Sequence, residues 1–315
     1  MYDVAFLGNY TKDTIVSAAG TRVVDGGAFN YGAHVAACMG LHVAAVTRLA
    51  QEDYHVVEEL KRLGVDVFVC TTPQSTCLRL EYPTSNVDER TITVESTAGS
   101  FTPAQVQDVQ ARAFVVGPSL CGEVGLDVIE ALARGRAASA AVEQAALGRD
   151  ASPAPALPGR CALLAADVQG FVRVVRESRM VYEAWPEREA ILSHVDVLKT
   201  DAVEAEMLTG TADIRAAAQM LAALGPREIV LTHRNGVLVY AGGEFHEAGF
   251  FPERLVGRSG RGDTCLAAYV ARRLAFPPAE ATRWAAAVTS LKMEAEGPFR
   301  RDIGDVEEFL GRYDG

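Results

Sequence analysis

The residue types that chemistry needs are concentrated in one segment, Gly257-Arg258-Ser259-Gly260-Arg261-Gly262-Asp263-Thr264. Three glycines in six residues free the backbone to turn its N–H groups inward. A helix follows, marked by Leu266, Val270 and Leu274 at i, i+4 and i+8. A glycine turn that runs into a helix N-terminus offers orphan amides and partial positive charge, and so forms an anion cradle. The spacing Gly257-x4-Gly262-x-Thr264 mimics a P-loop, but Asp263 stands where the lysine belongs. A carboxylate there would repel a terminal phosphate by on the order of several kcal/mol in a low-dielectric site. The segment is not G-x-G-x-x-G either, which disfavours a Rossmann cofactor. A carboxylate beside an anion cradle suits one task, taking a proton from an alcohol while the cradle holds the phosphoryl group under attack. The competing reading of Asp263 is a plain helix N-cap, and the segment alone leaves both open.

The elements that must position this segment alternate. Strands are expected at Val4–Leu7, Val43–Thr47, Ala113–Gly117, Cys161–Ala166, Val195–Lys199 and Glu228–Thr232. Helices are expected at Tyr31–Met39, Tyr54–Leu63, Val124–Ala133, Phe171–Glu177, Ala202–Leu208, Ile214–Leu224 and Ala279–Ala295. Such alternation predicts an α/β fold with a mostly parallel sheet covered on both faces. Two segments break the rhythm. Residues 11–25 and 72–97 read as short antiparallel strands that form either a small flap or simple edge hairpins. Residues 135–158 are rich in Ala and Pro and read as a short surface helix and loop inserted between elements of one domain spanning 1–315.

With 315 residues, 49% apolar and 23% charged, the chain has the composition of a globular protein. The net charge of −11 excludes surface-wide attraction to nucleic acid or to an anionic membrane. The start of the chain has no basic n-region and no long apolar h-region, so no secretory signal and no membrane span are expected. The six cysteines form no C-x-x-C pair and the six histidines no ligand cluster. A reduced, cytoplasmic protein without a direct metal site is expected. After the first strand, Gly8-Asn9-Tyr10-Thr11 supplies no dinucleotide fingerprint, so a dehydrogenase is disfavoured.

Several of these motifs together resemble the PfkB (ribokinase-like) family of carbohydrate kinases, over nearly the whole chain. The family's C-terminal Gly-Ala-Gly-Asp signature is matched by Gly260, Arg261, Gly262 and Asp263. Its N-terminal Gly-Gly pair and small-residue helix are matched by Gly26-Gly27-Ala28-Phe29-Asn30-Tyr31-Gly32-Ala33, ending at Gly40. An Asp shortly after the first strand, which in the family grips sugar hydroxyls, is matched by Asp13. The family's Asn-x-x-Glu motif, tied to Mg²⁺ and phosphate, is matched by Asp201-Ala202-Val203-Glu204, followed by Leu208-Thr209-Gly210.

The resemblance implies a three-layer α/β/α sandwich with a small β lid. It implies Asp263 as base and Gly260, Arg261 and Gly262 as anion hole. Asp13, Gly26, Gly27, Asn30 and Tyr31 would bind substrate, and ATP, with Mg²⁺ as cofactor, would lie near Thr232 and Gly236. Lid strands would close over the substrate and could pair two copies into a homodimer.

There are also departures. Gly257-Arg258 replaces the usual Asp-Thr, Arg261 replaces Ala, Tyr31 takes the place of an Asn, Asp201 replaces Asn, and His233 replaces a Gly. They mark a divergent branch. Tyr31 with Asp167-Val168-Gln169-Gly170-Phe171 is similar to members near inositol and nucleoside kinases.

Some residues keep two readings. Asp201 and Glu204 also fit a capping box. Arg258 and Arg261 are either solvated or phosphate ligands. Arg90 is a lid strand residue that could reach substrate, Gln169 could touch substrate or ATP, and His233 has no orienting partner in sequence. The expected function is ATP-dependent phosphorylation of a hydroxyl on a sugar, a polyol such as inositol, or a nucleoside. The alternative is a catalytically silent sensor of a sugar or nucleotide on the same fold.

Overall fold

The computed structural model describes residues 1–18, 20–83, 90–135 and 163–313. Seven parallel strands form the centre: β1 (Tyr2–Leu7), β4 (Val43–Leu49), β5 (Asp66–Thr71), β8 (Ala111–Val116), β9 (Leu163–Asp167), β12 (Val197–Asp201) and β13 (Glu228–His233). Segments such as Val43-Ala44-Ala45-Val46 are buried on both faces, as a covered parallel sheet requires. A hairpin of β14 (Gly236–Ala241) and β15 (Glu244–Gly249) extends the β13 edge antiparallel. The order is β15-β14-β13-β12-β9-β8-β1-β4-β5.

Helices cover both faces. One apolar core joins α1 (Ala28–Cys38), α2 (His55–Arg62), α8 (Arg261–Arg273), α9 (Pro278–Met293) and α10 (Ile303–Tyr313) through Phe29, Leu60, Leu266, Trp284 and Val306. The opposite core takes Val128 and Ile129 from α3, which spans 126–135. It also takes Ile191 from α5 (Arg188–Leu192), Ala205 from α6 (Ala202–Thr209) and Leu221 from α7 (Ile214–Ala222). The α/β/α sandwich expected from the alternation is therefore present. No helix among the described residues is long and apolar enough to cross a membrane.

A second sheet has the order β10-β11-β7-β6-β2-β3, from β2 (Thr11–Ser17), β3 (Gly20–Gly26), β6 (Thr76–Glu81), β7 (Thr91–Ser96), β10 (Arg173–Arg176) and β11 (Arg179–Tyr182). The rhythm-breaking segments supply its first four strands. Its outer pair corrects the helix expected at Phe171–Glu177, which shrinks to α4 (Gln169–Val172) before the chain turns extended. Val174 and Val175 are β-branched. Glu177 and Ser178 both take positive φ (48° and 65°) between the paired Arg176 and Arg179, which is the tight hairpin turn that matches strand twist. The β14–β15 hairpin, not expected from sequence, turns the same way through Gly242 and Gly243. The insertion expected at 135–158 lies, from residue 136 onward, outside the described residues.

Candidate active site

The C-terminal ends of the parallel strands, the underside of the second sheet and the start of α8 converge. Gly260 caps α8 at φ 71°, and a Cβ there would lie 2.3 Å from the Tyr31 ring, so both backbone and space demand glycine. The first-turn amides have no partner within the helix. They belong to Arg261, Gly262 and Asp263, of which Arg261 N donates back to the Arg258 carbonyl at 3.2 Å, and Asp263 lies in the positive end of the dipole. Below them lies Lys199, the buried cation of β12. Its amine would sit 2.7 Å from a Cβ at Gly262 and reaches Asp167 Oδ2 at 3.0 Å from the neighbouring strand. Burial lowers the lysine's proton affinity, but Asp167, Glu204, Asp201 and Asp263 outweigh it and hold the ammonium charged.

Asp263 is half-buried and accepts from Gln169 Nε2 at 3.5 Å. Burial raises its pKa, opposed by Lys199, Arg173 and Lys292. Arg173 opens β10 in the lid, yet its guanidinium crosses to the core and meets Glu204 Oε1 at 3.2 Å, leaving its buried Nε without a hydrogen-bond partner.

Facing this wall is a more enclosed one. Asp13 sits in β2, 7% exposed, with Oδ1 buried and unpartnered. Burial, with Asp263 adding repulsion, pushes its pKa up to about 6, against Thr11, Arg90 and Arg173. Gly26 packs so closely that a Cβ would be 3.0 Å from Asp13 Oδ2. Gly27 caps α1 at φ 96° with its Cα against the Asn9 carbonyl, where a Cβ would be 2.5 Å away. Asn30 is buried, donates to the Asp25 carbonyl at 3.3 Å, and keeps its Oδ1 without a partner. Tyr31 is sealed against Gly260 and so joins the two walls.

The structure thus brings Asp13, Gly26, Gly27, Asn30, Tyr31, Gly260, Gly262 and Asp263 together. Two expected positions stand apart. Thr232 is 1% exposed, its hydroxyl turned to the Thr200 carbonyl at 3.5 Å. Gly236 is buried in the hairpin, where a Cβ would strike the Ala248 carbonyl at 2.3 Å. Neither presents a side chain to the cleft, because the β13–β14 turn folds them into the sheet. The Arg261 guanidinium lies 5.9 Å over the Phe250 ring.

Asp201 and Glu204 form a full capping box: Glu204 N donates to Asp201 Oδ1 at 2.8 Å and Asp201 N to Glu204 Oε2 at 3.0 Å. With Glu204 Oε1 on Arg173, both glutamate oxygens are engaged. Among the described residues no three His, Cys, Asp or Glu side chains gather as a metal set. The described residues therefore offer no protein cage for Mg²⁺.

Lys199 and Arg173 were missed as site residues by sequence reasoning. A lysine inside a strand buried on both faces was the available signal for the first. The second was hidden inside a segment read as helix.

The sequence pattern of pfkB family carbohydrate kinases matches residues 140–300. A pyrophosphate-dependent kinase in the ribokinase family, solved as a sulfate complex, is 33% identical over 96% of this chain and 99% of its own, with a TM-score of 0.82. Another structure of a pyrophosphate-dependent kinase in the family, complexed with a pyrophosphate analog and myo-inositol, is 32% identical over 97% and 99%, with a TM-score of 0.82. Ribokinase of Arabidopsis thaliana, complexed with ribose and ATP, shares the fold at 18% identity over 98% of each chain, with a TM-score of 0.72. No curated protein matches. The fold is that of the ribokinase-family kinases. The chain belongs to the PfkB family of carbohydrate kinases.

Proposed function

We propose that the protein moves a phosphoryl group from inorganic pyrophosphate to a hydroxyl of a small polyol, a cyclitol of the myo-inositol type. The observation that carries this reading is Asp263, a carboxylate in the first turn of α8 that shares one cleft with Asp13 and is flanked by Lys199 and Arg173. In this reading Asp13 and the free oxygen of Asn30 accept hydrogen bonds from ring hydroxyls. Asp263 takes the proton of the reacting hydroxyl, whose oxygen attacks phosphorus as the bridging P–O bond breaks and inorganic phosphate leaves. The Gly260–Asp263 amides, Lys199 and Arg173 face the charge that develops on the transferring group.

Two considerations favour pyrophosphate over the ATP expected from sequence. The relatives above 30% identity are pyrophosphate-dependent. A donor without a nucleoside must be held through its phosphates, and Arg258 and Arg261 replace uncharged family residues at the turn, whereas Thr232 and Gly236 are closed off in the sheet. Five carboxylates, Asp13, Asp167, Asp201, Glu204 and Asp263, already offset Lys199, Arg173 and Lys292 together with Arg258 and Arg261 at the turn. A polyphosphate therefore brings charge that the side chains leave unneutralised, and Mg²⁺ bound to the donor's own oxygens and water would offset it.

The test is product formation from pyrophosphate and from ATP over a panel of inositols, pentoses and nucleosides, followed by phosphorus NMR. Phosphorylated cyclitol from pyrophosphate is expected. Transfer from ATP alone would reverse the donor assignment. Ligand-raised melting without transfer from either donor would make the protein a sensor instead.

A further inference from the structure

We infer that Lys292 is a positioning residue for phosphoryl transfer: its ammonium holds the Gly257 and Ser259 carbonyls so that the Arg258 and Gly260 amides face the transferring group. The inference rests on the phosphotransfer reading and assigns a residue to it that no motif marks.

Lysine is almost never fully buried without a partner, and Lys292 is 2% exposed in the last turn of α9. It donates to two backbone carbonyls, Gly257 O at 3.1 Å and Ser259 O. In a trans peptide the C=O and the following N–H point in opposite directions. Holding Ser259 O toward Lys292 therefore aims Gly260 N–H away from it, and holding Gly257 O does the same for Arg258 N–H. The same end of α9 anchors the entry to the turn, since Met293 O accepts from Val256 N at 2.9 Å and Gly257 N at 3.0 Å. Gly257 presses so close that a Cβ would lie 2.2 Å from Ala295 O. Lys292 also sits 5.3 Å over the Tyr31 ring, which packs on Gly260 from the acceptor wall. One buried cation thus touches both the turn and the helix that carries the acceptor residues.

Its charge is finely held. Burial pushes Lys292 down to about 8, while Glu296 and Asp263 favour the ammonium. The groups around it are Tyr31 from α1, Asp263 from α8, Arg258 in the turn and Glu296 beyond α9, the last paired with Arg22 of β3 at 3.1 Å. Below pH 8 the bonds to the turn are charge-assisted; above it they weaken.

The experiment compares wild type with Lys292→Met, Lys292→Ala and Lys292→Arg, with melting curves alongside. Lys292→Met is expected to lower kcat by about 10²-fold, as loss of oriented amide donors does, with acceptor KM changed less than about threefold. Lys292→Ala removes the chain from Cγ outward, and n-propylammonium is expected to restore part of its rate. Lys292→Arg, which does not titrate, is expected to lose the wild type's decline in rate above pH 8. Turnover of Lys292→Met near wild type would overturn the inference. So would an alkaline decline unchanged in Lys292→Arg, which decides the matter where the smaller variants do not fold. If wild type transfers no phosphate at all, the phosphotransfer reading fails separately. Lys292 is then judged by calorimetry with pyrophosphate: binding weakened about tenfold in Lys292→Met upholds its role at the turn, and equal binding refutes it.

Discussion

The two walls of the cleft solve opposite problems. On the acceptor wall Asp13, Asn30 and Tyr31 are nearly sealed, and the buried Asp13 Oδ1 and Asn30 Oδ1 have no hydrogen-bond partner. On the donor wall the charges are already matched, Lys199 with Asp167 and Arg173 with Glu204, while Asp263 and Arg261 are half-open. Buried unpaired acceptors are costly, and their cost is relieved only by a ligand with hydroxyls in the right places. Paired charges bring a stable field to a highly charged donor and can exchange partners as phosphate enters. In the proposed function, selectivity falls to one wall and charge handling to the other. The lid serves both, since β2 carries Asp13 and β10 carries Arg173.

The largest effect should come where the walls meet. Asp263→Asn is expected to lower kcat by on the order of 10²-fold or more while leaving acceptor binding in place. Steady-state rates beside acceptor titration calorimetry check this, and near-normal turnover would remove Asp263 from the role of base.

Arg173→Met should cost about 10- to 100-fold, chiefly through kcat and donor KM, the scale of a lost hydrogen bond to a charged group. If acceptor KM alone rose, Arg173 would belong to the other wall.

Asp13→Asn should raise acceptor KM by roughly tenfold or more and at the same time stabilise the fold. The folded carboxyl titrates at about 6 against 3.8 when unfolded. The native state therefore binds more protons between those values, and stability falls as pH rises through them. The full shift is worth about 3 kcal/mol. Melting at pH 5 and pH 8 should show the stabilisation by Asp13→Asn growing with pH, and the wild-type rate should fall as pH drops through 6. A stabilisation equal at both pH values would break the contrast between a strained acceptor wall and a charge-paired donor wall.

The smallest effect is expected from Asp201→Ala. Loss of the cap should cost about 1 kcal/mol, read as a lower Tm, with turnover within about threefold. A drop in kcat as large as that of Asp263→Asn, relieved by more Mg²⁺, would return Asp201 to a metal role.

Much of the fold was legible because burial enforces pattern. Val43–Thr47 reads as a strand and is buried on both faces within β4, Leu266, Val270 and Leu274 mark α8, and Gly40 stops α1 with a positive φ of 74°. The β10–β11 hairpin was not legible. Its turn uses Glu177 and Ser178, residues that rarely take positive φ, so no Asn-Gly or Gly-Gly signal announced it. In the site, Gly260 and Asp263 could be read from local spacing, because a turn entering a helix is made by neighbours in sequence. Thr232 and Gly236 were placed by resemblance alone, and the pairing of β13 with β14 buried them.

By itself the sequence determined what is local or periodic: alternating elements, the glycine turn before α8, the Gly26-Gly27 pair before α1, and Asp263 at a helix start. Each follows from backbone freedom or from the burial period of a single element. Only the tertiary structure decided which charges meet. Lys199 reaches Asp167 on the adjacent strand, Arg173 leaves the lid to meet Glu204, and Lys292 grips a turn more than thirty residues away. Those contacts depend on strand order and helix packing, which bring distant residues within hydrogen-bond range and leave no local mark in the chain.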